Sequence, residues 1–137
     1  MPNPITYLNP ASLSKPAGFT HVTEGPADRL VFISGQISCD AEGKVVGAGD
    51  MAAQARQVFG NLGKALEAAG SGFDHVLKLT TFVCNISPQA TAAIREVRKD
   101  FLDEKALPAS TMVGVAGLAR PELLLEVEAI AVKRGAR

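Results

Sequence analysis

Two carboxylates stand at alternate positions in an apolar run near the end of the chain, Leu123-Leu124-Leu125-Glu126-Val127-Glu128-Ala129-Ile130-Ala131-Val132. The run reads as a β-strand. Its two-residue period puts Glu126 and Glu128 on one face and Leu125, Val127, Ala129 and Ala131 on the other. A charge in an apolar strand is costly to bury unless it is paired or put to use. Two readings follow. Either the carboxylates pair with Lys or Arg at an interface, or one of them orients a water or accepts a proton. A candidate wall for such a site is Ser34-Gly35-Gln36, because glycine admits close approach of backbone or ligand. Arg120, in the turn Gly117-Leu118-Ala119-Arg120-Pro121, is either a solvated loop cation or a guanidinium at a site mouth, able to grip a carboxylate in a fork.

Other chemistries lack their residues. His21 and His75 have no ligand-like spacing to each other or to a cysteine, so no metal site is expected and both read as structural or solvated. There is no P-loop, Gly-x-Gly-x-x-Gly or Gly-x-Ser-x-Gly pattern, and Ser110 has no neighbouring base in sequence. Cys39 and Cys84 form no Cys-x-x-Cys pair and read as reduced buried thiols of a cytosolic protein, with a single disulfide between them as the alternative. Lys plus Arg and Asp plus Glu are both 14, which leaves no long-range field to draw nucleic acid or an anionic membrane. The N-terminus, Met1-Pro2-Asn3-Pro4, shows no leader pattern, and no apolar run approaches the ~18 residues of a membrane span. The expected location is the cytoplasm.

The elements that must position these groups are legible from periodicity. The length suits one domain over residues 1–137, and 47% hydrophobic against 20% charged residues is a globular composition rather than a disordered one. Short strands are expected at Ile5–Leu8 and Phe19–Thr23, and a stronger one from Arg29 to Ile33, interrupted at Gly35. Asp50 caps a helix whose apolar positions are Met51, Ala55, Val58, Phe59, Leu62, Leu66 and Ala69, with Gly70 beyond its end. A strand follows from Val76 to Cys84. Ser87-Pro88 then opens a second helix with the stripe Ala90, Ile94, Val97, Phe101 and Leu102, and with Arg95 and Arg98 assigned to its solvated face. Two strands end the chain, from Met112 to Ala116 and from Leu123 to Val132. The order β-β-β-α-β-α-β-β implies an α+β fold, a mixed sheet with both helices on one face. The chain has no element left for the other face. Leu30, Phe32, Leu79, Val113 and Leu124 cannot all turn toward the helices, so association of copies with closed symmetry is expected.

Together these segments resemble the RidA/YjgF family of reactive-intermediate imine deaminases, also labelled endoribonuclease L-PSP. The resemblance rests on Ile33-Ser34-Gly35-Gln36-Ile37, on Gln54-Ala55 through Asn61-Leu62 with Leu66-Glu67-Ala68-Ala69-Gly70, on Val76 to Val83, and on Glu126 to Ala131. It implies a chorismate-mutase-like fold, a homotrimer packed around the uncovered sheet face, and sites in the clefts between subunits. It also implies hydrolysis of enamines and imines such as 2-aminoacrylate to a 2-keto acid and ammonia, without metal or cofactor. The family's Pro-Ala-Arg-Ser/Thr, whose Arg grips the substrate carboxylate, is here Pro108-Ala109-Ser110-Thr111. Ser110 supplies neither charge nor fork. The family's Gly-Pro-Tyr is here Ala17-Gly18-Phe19, and the Asn and Tyr usual on the second helix correspond to Arg95 and Arg98. Glu126 keeps the position of the water-orienting carboxylate. The resemblance thus names Glu126 as the catalytic residue. Phe19, Ser34, Gly35, Ser110, Thr111, Val113 and Arg120 are the expected substrate-binding set, with Arg120 or a neighbouring subunit's Arg replacing the missing anchor. The expected function is a diverged imine or enamine hydrolase with weak or no 2-aminoacrylate activity. The alternatives are a non-catalytic trimer that binds a small metabolite and, with no support from charge or from a single Tyr, a ribonuclease.

Overall fold

The structure, a computed structural model, describes residues 3–135; Met1 and Pro2, where the N-terminal reading begins, lie outside the described residues. The elements occur in the expected order. They are β1 (Thr6–Leu8), β2 (Val22–Glu24), β3 (Leu30–Gln36), α1 (Met51–Ala68), β4 (Val76–Cys84), α2 (Pro88–Arg98), β5 (Ala109–Val115) and β6 (Leu125–Val132). The main sheet has four strands in the order β3-β6-β4-β5. β4 and β5 are parallel and joined through α2, while β6 runs antiparallel to both of its neighbours. This is the mixed α+β arrangement of one sheet under two helices. One detail differs from the sequence-based reading: β1 and β2 form a separate two-stranded ribbon. Each is three residues long, and Thr23 Oγ1 donates to Leu77 O at 2.6 Å, a side-chain tie that fastens the ribbon to β4 in place of a ladder.

Local chemistry sets the helix ends. Asp50 accepts from Ala53 N, and Gly70 adopts φ +74° just past the last turn of α1, a conformation that favours glycine. Ser87 Oγ accepts from Ala90 N with Pro88 at the first helical position. From α1, Val58, Phe59, Leu62 and Leu66 are fully buried against Leu125, Val127 and Ala129 of β6. Phe59 stacks on Phe101 at 5.7 Å between ring centroids, joining α1 to the turn that follows α2. Gln54 is a buried polar exception on the apolar face of α1. Its amide donates to Glu122 O at 2.8 Å and to Gly47 O at 3.1 Å, and its carbonyl accepts from Leu124 N at 2.8 Å. A buried amide so satisfied fixes the entry of β6.

The helices cover one face of the sheet. On the other face Leu30, Phe32 and Val113 are exposed, Phe32 to 73%. Leu79, from the same group of apolar residues, points instead into the core. Among the described residues no helix is long and apolar enough to cross a membrane.

One core position is imperfect. Thr81 is buried between Val127 and Met112 in the sheet, and its Oγ1 has no hydrogen-bond partner. An unpaired buried hydroxyl is a net cost, so Thr81→Val should raise stability by about 1 kcal/mol. Denaturant titration at matched protein concentration reads the change, and a lower midpoint in the variant would mean that the hydroxyl does have a partner.

Candidate functional site

Glu126 is positioned by an irregularity in its neighbour. The β3–β6 register passes from Ile33↔Ala129 to Gln36↔Val127, so β3 carries one extra residue, a β-bulge at Ser34-Gly35. The bulge brings Gly35 over the Glu126 side chain. A Cβ built on Gly35 would lie 2.6 Å from Glu126 Cδ and 2.8 Å from Cγ, and would overlap the carboxylate. Glycine is required here by close approach rather than by its φ. Glu126 is half-buried, and among the described residues it forms no ion pair.

The open face continues from Glu126 across the sheet. Phe82 is the β4 partner of Glu126, and Val113 is the β5 partner of Phe82. Thr80 likewise links Glu128 to Thr111. Val113 therefore stands two strand spacings, ~10 Å, from Glu126. Ser34, Gly35, Thr111, Val113 and Glu126 share this surface.

Ser110 and Phe19 do not. Ser110 pairs with Leu79, whose side chain is buried under the helices, so Ser110 faces α2. It lines a cavity of about 670 Å³ with Phe19, Leu107, Met112, Arg95 and Arg98. The assignment of Arg98 to a solvated helix face is corrected: Arg98 is only 8% exposed. Segment 17–19 covers it, and its Nη2 donates to Gly18 O at 3.2 Å. Burial lowers the pKa of the Arg98 guanidinium from its ordinary value, and the charge of Arg95 adds to this. Helical spacing carried the signal: Arg98 follows Ile94 by four residues and so falls on the same face as that buried side chain.

Arg120 occupies a third place. Its Nη1 donates to Gly43 O at 2.6 Å, tying the turn before β6 to the loop before α1. It lines a smaller recess with Cys84, Asn85 and Leu124, beyond the far end of β5 from Ser110. Within one chain, then, Arg120 does not stand beside Ser110 as a replacement anchor. His75 is buried beside Asp74, with its Nδ1 3.1 Å from Asp74 Oδ1, and His21 Nε2 lies 2.7 Å from Ser14 O; neither joins these surfaces.

The sequence profile of endoribonuclease L-PSP matches residues 11–133. The chain belongs to this family, the RidA/YjgF proteins. Among relatives, a RutC family protein of Synechocystis is 35% identical over 77% of this chain and 80% of its own length. A mouse 2-iminobutanoate/2-iminopropanoate deaminase is 35% identical over 77% of this chain and 76% of its own. Among solved structures, the Rid-family protein YyfB of Yersinia pestis superposes with a TM-score of 0.88 at 37% identity, covering 94% of this chain and 98% of that one. RidA of an Antarctic Psychrobacter superposes with a TM-score of 0.67 at 29% identity, covering 87% and 91%. The fold of this Rid protein is thus the YjgF fold.

The contact between Gly35 and Glu126 makes a specific prediction. In Gly35→Ala the half-buried carboxylate should swing away while the fold remains, with a stability change under about 1 kcal/mol. A crystal structure of the variant checks this, and Glu126 in an unchanged position would contradict it.

Proposed function

We propose that this protein is a Rid-type hydrolase of a small imine or enamine, working without metal or cofactor, with Glu126 orienting the attacking water. The observation that carries this reading is the Glu126 carboxylate held against the Gly35 backbone on an open face, with no ion-pair partner among the described residues. Such a carboxylate accepts a proton from water as the water oxygen bonds to the imine carbon. The resulting carbinolamine takes that proton on nitrogen. The hydroxyl proton then passes through Glu126 to nitrogen as the C–N bond breaks, so ammonia leaves and a carbonyl remains.

A complete site on this reading needs more than one copy. Glu126 and Ser110 lie on opposite faces of the sheet within a chain, so the groups that hold a substrate and the carboxylate that activates water are joined by a neighbouring subunit. The exposed Leu30, Phe32 and Val113 supply an apolar surface for that contact, and a homotrimer packed on this face is the proposed assembly. Phe32→Asp should convert the trimer to monomers in light scattering. A parent protein with monomer mass at micromolar concentration would remove the basis of the assembly.

Loss of the family's anchoring Arg predicts weak turnover of 2-aminoacrylate. A charge-assisted pair is worth about 1.5–3 kcal/mol, so Ser110→Arg should raise that activity roughly ten- to a hundredfold. Glu126→Gln should lower turnover of any accepted imine by roughly a hundredfold or more. A second reading, a non-catalytic trimer that binds a small metabolite, is favoured by the uncharged Ser110. Turnover indifferent to Glu126→Gln would leave that second reading standing.

A further inference from the structure

The cavity between α2 and β5 holds cations that the hydrolysis step does not use. Arg95, Arg98 and Lys99 line it against a single carboxylate, Glu104. Lys99 is already paired with Glu96 at 3.2 Å. Neither Arg95 nor Arg98 has an ion-pair partner among the described residues. A guanidinium taken out of water without a counter-charge is costly unless its donors are satisfied. Arg98 carries five N–H donors, and a hydrogen bond to Gly18 O occupies one. Thr81 Oγ1 is the only sealed side-chain polar atom without a partner among the described residues, so the remaining Arg98 nitrogens are not sealed in the core, and Arg98 lines the cavity. A buried guanidinium, a second Arg and the Ser110 hydroxyl therefore face one space.

The rest of that space is apolar. Phe19, Leu102, Leu107 and Met112 contribute its walls, and its volume is about 670 Å³. That falls within the range that encloses sizeable ligands. An acid as small as 2-iminobutanoate would leave most of the volume to water.

We propose that this cavity binds a 2-imino acid, and its 2-oxo acid product, with a bulky branched or aromatic side chain, the carboxylate being gripped by Arg98 and Arg95 and the side chain lying against Phe19, Leu102 and Met112. The anchor missing from β5 is thereby supplied from α2, one layer away. The ligand class rests on the hydrolase reading above; the anion-binding cavity does not.

The stable oxo acids serve as probes, because the imines are short-lived. Calorimetric titration of the full-length protein compares phenylpyruvate, pyruvate and inorganic phosphate. Phenylpyruvate should bind roughly tenfold or more tighter than either of the others, and Arg98→Met and Arg95→Ala should each weaken it by roughly ten- to a hundredfold. Arg95 is exposed, so its variant reports on binding even where loss of Arg98 impairs folding. Phenylpyruvate binding no tighter than pyruvate or phosphate overturns the proposal, as does an affinity unchanged by Arg95→Ala together with Arg98→Met or Arg98→Lys. Turnover separates the two claims. Arginine-dependent phenylpyruvate binding with no Glu126-dependent hydrolysis upholds the cavity and removes the hydrolase. Glu126-dependent hydrolysis indifferent to both arginines removes the cavity's role and upholds the hydrolase.

Discussion

The arrangement on both sides of the sheet depends on the alternation of side chains along β6. This strand lies between β3 and β4, so every second residue meets the helices and every other one meets the open face. Leu125, Val127, Ala129 and Ala131 seal the core, and Glu126, Glu128 and Ile130 point away from it. A slip of one residue would drive two carboxylates under α1 and expose the apolar set, at a cost of several kcal/mol per buried charge. The register that makes the core is thus the register that presents Glu126. Gln54 holds the start of β6 in that register through two hydrogen bonds, to Glu122 O and from Leu124 N.

Much of this was readable from residue order. The two helices, their caps at Asp50 and Ser87, and the four strands of the main sheet follow from periodicity and capping chemistry, because each is decided by neighbours within a few positions. The naked sheet face followed from counting elements. What could not be read was which distant segments meet. Arg98 looked like one more charge on a solvated helix, but residues 17–19 lie over it, eighty positions earlier in the chain. Ser110 and Glu126 looked like members of one site; the β4–β5 register, which pairs Ser110 with buried Leu79, puts them on opposite faces. Arg120 looked free for a ligand, and its partner is a loop carbonyl at Gly43 that no local pattern announces.

The site's geometry also depends on a deliberate break in regularity. A continuous β3 would place an alternating side chain beside Glu126. The bulge at Ser34-Gly35 replaces it with bare backbone, bringing peptide groups within reach of a carboxylate. The same substitution of backbone for side chain keeps this corner open to solvent while the core beneath it stays closed.

The position of β6 has a further consequence for how the protein comes into being. It is the last strand of the described residues and an interior strand of the sheet, pairing Leu30 with Val132 on one side and Val83 with Leu125 on the other. During synthesis, β3 and β4 emerge with no strand between them, and neither can complete its ladder until β6 has been made. Closing contacts so distant in sequence is slow for entropic reasons. A chain cut short before Leu125 would therefore lack not only Glu126 but the whole centre of the sheet, and an incompletely translated copy would be removed as unfolded protein rather than persist as an inactive one.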